Sequence, residues 1–364
     1  MGRDACLEGS LAVSRRIAGF AADRCPPARA RTFWLVTVAQ RMIPMKKSKT
    51  AAVLGAGVIG LSTGVRLLES GWRVVIYARE QTQQTTSGVA AAFWFPYKVE
   101  RGPRVTRWAL ATRTTYQKLA EHGVPGITPA PLHVLRRQRH LAMEEVPGVR
   151  AAPLATERLP PGFAQGLRFE VMRVETPLYL PWLQAEFVRL GGVVKHREVK
   201  QADELLQEHD FAVHCSGVHA GRLAADATTY PIRGQIIRVV RPAGLPDTVL
   251  LHEEGEETTY IVPRSRDCIL GGTAQKEDWN LAPDEATAAG IFARCVALEP
   301  RLQGVIVLEH KVGLRPGRST VRLELESRPG GKAILHHYGH GGAGYTLAWG
   351  AADEAVERAK EWLG

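Results

Sequence analysis

The sequence predicts an α/β fold: a strand–helix–strand unit opened by glycines, with a mostly antiparallel β-sheet domain interleaved in it. Three observations carry that prediction. Ala51 to Glu80, AAVLGAGVIGLSTGVRLLESGWRVVIYARE, reads as strand, glycine turn, helix and strand. Residues 229 to 310 are dense in strand signals. A second glycine turn, Gly339-His340-Gly341-Gly342-Ala343-Gly344, leads into a helical segment, Tyr345 to Leu363.

In the opening unit the apolar run Ala52-Val53-Leu54 enters Gly55-Ala56-Gly57-Val58-Ile59-Gly60, after which Leu61, Val65 and Leu68 recur at helical spacing. Gly55 permits a tight turn, Gly57 lets a pyrophosphate approach the backbone, and Gly60 lets helix and strand pack closely. The helix start, with its unpaired amides and positive dipole end, then forms an anion site without a basic side chain. Gly71 ends the helix and Trp72 to Tyr77 is the second strand, the Rossmann-type pattern. At its end Glu80 can accept ribose hydroxyls, whereas Arg79 suits a 2′-phosphate, so this unit leaves NAD, NADP and FAD open.

The next segment, Gln81 to Tyr97, offers the hydroxyls and amides of Thr85, Thr86 and Ser87, then small residues Gly88 to Ala92 that let a flat group pass. Val105 to Glu121 is expected to be helical. Strand candidates are Leu132 to Leu135 and Gly166 to Val174. A helix is expected over Pro181 to Leu190, a Gly191-Gly192 turn, then a strand over Val193 to His196. Asp210 to Cys215 is an apolar strand ending at Ser216-Gly217, a second place for backbone to touch a dinucleotide. Further strands are expected at Gln235 to Val240, Thr259 to Val262, Cys268 to Leu270 and Val305 to Leu308, with a helix over Asp284 to Leu298.

Composition narrows the function classes. The apolar fraction of 45% is ordinary for a globular chain of 364 residues, and no apolar run reaches the roughly 18 residues of a membrane helix. Cys6, Cys25, Cys215, Cys268 and Cys295 are scattered without a CxxC pair, which argues against a metal site or a disulfide framework. Of the formal charge of +10, residues 1 to 48 supply +6 (nine Arg or Lys against three acids), leaving +4 spread over the body. No aromatic-basic interleaving accompanies it, so nucleic acid is not an expected partner. Residues 1 to 48, Arg-rich and without periodicity, read as an extension that is disordered or upstream of a start at Met42 or Met45. A targeting peptide built on Ser14-Arg15-Arg16 and Phe33 to Ala39 is the second reading.

The closing glycine turn decides among the nucleotides. It aims another helix start at a ligand, and a flavin gathers negative charge on its pyrimidine ring on reduction, whereas a nicotinamide makes no such demand. FAD is therefore the expected cofactor, and no metal is expected.

Both glycine turns, together with Thr85-Thr86-Ser87, Cys215-Ser216-Gly217, Arg233-Gly234-Gln235, Tyr260-Ile261-Val262-Pro263, Gly313-Leu314-Arg315-Pro316 and Tyr338-Gly339-His340-Gly341-Gly342, resemble the D-amino-acid oxidase family over residues 50 to 360. The block Gly271 to Asn280 is similar to its D-aspartate oxidase branch. The resemblance implies an FAD enzyme of the glutathione-reductase type. Residues 49–97, 175–228 and 311–364 would form the FAD domain, and 98–174 and 229–310 the substrate domain. Its reaction would convert D-amino acids and molecular oxygen to 2-oxo acids, ammonia and hydrogen peroxide by hydride transfer from Cα.

Carried over by motif, Arg315 would grip the substrate carboxylate, Tyr260 would share that grip, and the Gly342 carbonyl would accept the amine. Gly55 to Gly60, Arg79, Glu80, Thr85 to Ser87, Val199, Ser216, Gly217, Gly341, Gly342, Gly344, Tyr345 and Thr346 would hold FAD. Phe93, Phe95, His252, Val262 and Ala274 would line the substrate pocket. A planar guanidinium suits this task because it binds a carboxylate as a fork and so fixes Cα. Without the resemblance, Arg315 reads as an ion pair at a strand end, Tyr260 as a core residue, and His340 as part of a turn.

Three features depart from the family pattern. Glu256 stands where animal members place a lid tyrosine, and Ala274 where D-aspartate oxidases place an arginine. Without that arginine an acidic side chain must rely on His252, Arg264 or Lys276. Phe93 and Phe95 favour apolar side chains. The expectation is a neutral or broad D-amino-acid oxidase, with D-aspartate oxidase as the alternative and a glycine or sarcosine oxidase behind it. A cytoplasmic home is the simplest, since Glu361-Trp362-Leu363-Gly364 is not a peroxisomal address. A membrane is not an expected partner, and a homodimer is one arrangement left open.

Overall fold

The central strand, Thr50–Leu54, sits where its composition puts it, with Ala51, Ala52, Val53 and Leu54 all buried. A parallel strand covered on both faces reads as an uninterrupted apolar run, which is what the glycine turn follows. In the computed structural model the described residues are 50–96, 99–100, 102–138, 146, 148–254 and 257–364. The expected N-terminal extension, residues 1–48, and the Glu256 position lie outside them.

Six strands form one sheet in the order Arg322–Arg328, Lys332–Tyr338, Phe211–His214, Thr50–Leu54, Arg73–Ala78, Val193–His196. Its neighbours run parallel except the first two, which are antiparallel. Helices Val58–Glu69 and Gly344–Leu363 pack together beside it, with Arg66 paired to Asp353 at 2.8 Å and lying 4.6 Å over the Trp349 ring. Helix Pro103–Glu121 lies against Gly344–Leu363. A Cβ on Gly350 would stand 2.3 Å from the Trp108 carbonyl, and the Tyr116 hydroxyl donates to the Tyr345 carbonyl at 2.9 Å.

The hub of a second, nine-stranded sheet is Tyr230–Val240. One side of it pairs with Val307–Gly317; the other meets Asp267–Gly271 and Gln275–Lys276. Glu257–Pro263, Val249–Glu254, Ile127–Arg136, Gln165–Val174 and Ala152–Pro153 continue it. Pairing is antiparallel except between Ile127–Arg136 and Val249–Glu254.

Alternation along the strands sorts the apolar residues into layers. Ala51 and Val53 face a central cluster that also takes Val262, Leu251 and Phe169 from the second sheet. Ala52 and Leu54 face an outer cluster with Tyr77, Leu205 and Ile334. Ile237, Val239 and Ile261 face another outer cluster under helix Glu285–Leu298. The central layer thus joins both sheets.

Several elements differ from expectation: the strand expected over Val305 to Leu308 runs Val307–Gly317, and Val249–Glu254 was not foreseen. The helix expected from Pro181 spans Thr176–Arg189 with Pro181 inside it. Pro177 occupies its first turn, where a missing N–H costs nothing, and burial of Tyr179, Leu180, Leu183 and Phe187 carries the chain past the second proline. The hairpin Arg322–Arg328 with Lys332–Tyr338 was not foreseen, because its Glu-rich strand alternates weakly and its partner is buried throughout apart from Lys332. No described helix is long and apolar enough to cross a membrane.

Candidate active site

One cavity runs between the two sheets, and the first glycine turn forms one wall. Gly55 has φ +110°, which L side chains rarely adopt, and a Cβ there would stand 2.4 Å from the Cys215 carbonyl. Gly60 does not line the cavity. A Cβ on it would lie 2.0 Å from the Gly55 carbonyl, so its task is the strand–helix approach. Helix Val58–Glu69 starts at Gly57 with no acidic residue in its first turn, and Ser87 Oγ accepts the Val58 N–H at 3.0 Å. These features leave an amide-lined concavity suited to phosphate. Ala56, Val58 and Ile59 line it too.

Beyond the turn, Arg79 and Glu80 line the cavity as an ion pair at 2.5 Å, with His219 Nε2 3.4 Å from Arg79. Arg197, Glu198 and Arg222 line it as well and were not foreseen. Arg197 arrives because its N–H bonds the Ala78 carbonyl at 3.0 Å, a neighbour set by sheet order and not by chain order. Val199, Ser216 and Gly217 also line the cavity.

The segment after the second strand is stitched to the second sheet and to the starts of helices Val58–Glu69 and Gly344–Leu363. Thr85 and Thr86 line the cavity with Ser87, and the Thr86 hydroxyl donates to the Leu314 carbonyl at 3.0 Å. The Tyr345 hydroxyl donates to the Ser87 carbonyl at 2.8 Å. Helix Gly344–Leu363 opens on the same cavity, again without an acid in its first turn, through Gly341, Gly342, Gly344 and Tyr345. Thr346 does not line the cavity: its hydroxyl donates to the Phe95 carbonyl at 2.7 Å and accepts the Phe95 N–H at 3.1 Å.

Arg315, Tyr260 and Gly342 come from three separate elements and line this one cavity. The Gly341 N–H bonds the Pro316 carbonyl at 2.8 Å, which ties the second glycine turn to the residue after Arg315. Arg315 Nη1 donates to the Thr273 carbonyl at 3.0 Å. A Cβ on Gly234 would lie 2.3 to 2.4 Å from Nη1, Cζ and Nη2, so the flat face of the guanidinium rests on that glycine. Gly234 pairs across the sheet with Gly313, leaving the floor beside Arg315 without side chains. The Tyr260 ring covers Gly271 and Gly272, where a Cβ would stand 2.1 and 3.0 Å from it.

Phe93, Phe95, Ile236 and Leu251 supply apolar wall. Ile236 and Leu251 were missed; the alternation Gly234, Ile236 along Tyr230–Val240 was the available signal. His252, Val262 and Ala274 do not line the cavity. Val262 is core, and His252 Nδ1 meets the Leu135 carbonyl at 3.1 Å with its ring edge-on to Phe163. Ala274 follows the bend at Thr273. Arg264 is held by Asp267 through bonds of 2.6 and 2.8 Å, and Lys276 is exposed, so neither reaches the cavity in place of a residue at 274.

Burial favours the neutral form of the two deeply buried cavity histidines, His337 and His340. Burial pushes His340 down to about 3 and, aided by His340 and Arg104, drives His337 well below its ordinary value. Since the Thr63 hydroxyl donates to the Ile59 carbonyl at 2.8 Å, His337 Nδ1, 3.2 Å away, is its donor. Among the described residues no cluster of His, Cys, Asp and Glu could hold a metal ion.

Two amide-lined helix starts, a bare glycine floor and a cavity-facing guanidinium fit a dinucleotide with a flat ring beside an anionic substrate. Comparison with known proteins agrees. The family described as FAD dependent oxidoreductase (DAO) matches residues 50–358. The chain is 47% identical over 308 residues to a D-amino-acid oxidase of Rubrobacter xylanophilus, covering 84% of this chain and 94% of that protein. It is 36% identical over 327 residues to a D-aspartate oxidase of Homo sapiens, covering 85% and 94%. Among solved structures, glycine oxidase from Bacillus cereus superposes with a TM-score of 0.75 at 17% identity, covering 86% of this chain and 97% of that one, a likeness of fold.

Proposed function

We infer that this chain, which belongs to the DAO family of FAD dependent oxidoreductases and uses FAD, is an oxidase of D-amino acids with neutral side chains. FAD, when bound, would supply the acceptor for the Cα hydride, with oxygen as the final acceptor reduced to hydrogen peroxide, and the imino acid would hydrolyse to a 2-oxo acid and ammonia. Gly55 to Ile59, Arg79, Glu80, Thr85 to Ser87, Val199, Ser216, Gly217, Gly341, Gly342, Gly344 and Tyr345 would hold it.

The chain's own groups do the positioning. Arg315 takes the substrate carboxylate as a fork, the Tyr260 hydroxyl donates to the same carboxylate, and the Gly342 carbonyl accepts from the α-amine. With the carboxylate and the amine both fixed, the direction in which the Cα hydrogen must leave constrains a third substituent, and only one enantiomer satisfies all three. A substrate amine that is neutral when bound needs no side-chain base, and no residue is assigned that role.

The observation that supports this reading is the convergence of Arg315, Tyr260 and Gly342 on one cavity beside a glycine floor. Phe93, Phe95, Ile236 and Leu251 favour a neutral side chain, and Arg264 and Lys276 do not face it. The similarity to a D-aspartate oxidase keeps acidic substrates as the second reading. A peroxide assay with D-alanine, D-phenylalanine and D-aspartate decides between them: higher kcat/KM for the first two is expected, and preference for D-aspartate would reverse the assignment. Arg315→Ala should raise KM about 30-fold or more with flavin still bound, since removing one partner of a buried charge pair costs about 2–5 kcal/mol.

A further inference from the structure

We propose that Arg233 is a positioning residue for Arg315, acting through Gln235, Thr273 and the segment that follows Thr273. This rests on the reading of Arg315 as the carboxylate anchor. Arg233 is 2% exposed, on the face of Tyr230–Val240 opposite the cavity, as the alternation with Gly234 requires.

A buried guanidinium must be fully bonded, and this one is spent on the chain between Gln275 and Ala282. Nη1 donates to Gln275 Oε1 at 2.7 Å, Nε to the Asn280 carbonyl at 2.7 Å, and Nη2 to the Ala282 carbonyl at 2.7 Å. Nη2 also reaches Gln235 Oε1 at 3.1 Å, and Asp278 stands 3.7 Å from Nε. Gln235 extends the clamp: its Nε2 donates to the Asp284 carbonyl at 2.7 Å and its Oε1 accepts the Asp284 N–H at 2.9 Å.

The clamp closes on one carbonyl. Between the pairs Gly271↔Ile236 and Gln275↔Arg233, residues 272 to 274 bend out of the ladder. Thr273 sits in that bend, where its Oγ1 accepts the Gln235 N–H at 2.9 Å and its carbonyl accepts Arg315 Nη1 at 3.0 Å. Arg294 Nη2 steadies the preceding Gly272 carbonyl at 3.3 Å. Arg233 and Gln235 therefore hold, from behind the sheet, the acceptor that orients Arg315 in front of it. Releasing the clamp frees the Thr273 carbonyl to shift and lets the guanidinium rotate off Gly234.

The test uses the FAD-loaded full chain and two probes that differ only in charge, butyrate and butyramide, with dissociation constants from calorimetry. In Arg233→Met butyrate should bind about tenfold to a hundredfold more weakly, the range for a misplacement near 1 Å, while butyramide binding is unchanged. KM for D-alanine should rise in step with the butyrate constant. Equal weakening of both probes, or of neither, would mean that Arg233 only holds the fold, and overturns the proposal. If Arg233→Met does not fold, Thr273→Val decides, because it keeps the carbonyl and removes the bond to Gln235. A smaller selective loss of butyrate is then expected, and an unchanged ratio of the two constants overturns the idea. Arg315→Ala separates the two claims: if it leaves butyrate binding intact, the anchor assignment has failed, whatever Arg233 does.

Discussion

On the proposed function, the two ends of the cavity hold an anion by opposite means. At the first glycine turn the groups are main-chain amides, and the side chains have been removed to expose them. At the other end the group is the Arg315 side chain, seated on Gly234 and bonded to the Thr273 carbonyl. A backbone site is rigid because its geometry is the fold itself, whereas a side-chain site is only as rigid as the neighbours that stop it turning. The first should fail all at once, the second by degrees and selectively.

The largest expected effect is at the backbone end. Gly60→Val would drive a branched side chain into the Gly55 carbonyl, which a Cβ alone would already approach to 2.0 Å. Overpacking of this kind costs about 1–3 kcal/mol or more. The expected outcome is a colourless protein with a lowered Tm, read from flavin absorbance and thermal unfolding; a yellow, stable variant would break the comparison.

Gly234→Ala attacks the other end without touching the anchor itself. Its Cβ would displace a guanidinium that a Cβ would meet at 2.3 to 2.4 Å. Displacing the group by about 1 Å should cost roughly a hundredfold in kcat/KM. Flavin content should hold; if flavin and substrate affinity fell together, the two ends would not be separable.

Tyr260→Phe is gentler, since the ring still covers Gly271 and Gly272 and only the hydroxyl goes. A hydrogen bond to a charged group is worth about 1.5–3 kcal/mol, so KM should rise about tenfold or more with little change in kcat. Steady-state kinetics against D-alanine checks it, and an unchanged KM removes Tyr260 from the anchor.

The smallest effect concerns the joint between the ends. Asp226 accepts from Arg318 Nε at 3.1 Å, just past the strand carrying Arg315, and from the Tyr338 hydroxyl at 3.0 Å, at the end of a strand in the other sheet. Burial opposes its ionisation, but bonds from Thr228 and Tyr338 and the Arg318 charge outweigh that and hold it down at about 2. The folded pKa lies below the ordinary 3.8, so the stabilisation is present above about pH 4 and is lost as pH falls towards 2. Asp226→Asn should cost about 1–2 kcal/mol at neutral pH and nothing near pH 2, measured by urea unfolding at both. A pH-independent difference would show that the carboxylate charge is not what joins them.

Much of the fold was legible because its signals are local. The apolar run to Leu54, the glycines after it and the helical spacing to Leu68 lie within one short window, and the second turn before Tyr345 is as compact. The hairpin of residues 322–338 was not legible, since Lys332–Tyr338 mixes apolar residues with His336 and His337, and only burial shows why they belong in a strand. Pro181 misled because a proline marks a helix start more often than an interior.

The sequence by itself determined the two glycine turns, the helices they open and the residue types around them, because these are written in glycine spacing along contiguous chain. The family resemblance singled out Arg315, but only the tertiary structure decided which arginines of the sheet face the cavity. Arg233 and Arg315 lie within strands of one sheet and Arg264 directly follows another, yet Arg233 is spent behind the sheet, Arg264 is locked to Asp267, and Arg315 alone of these three lines the cavity. Strand periodicity sorts residues into two faces, but which face meets a ligand depends on partner strands dozens of residues away. The same physics kept Arg197 and Leu251 out of view and removed Val262, His252 and Ala274 from the wall.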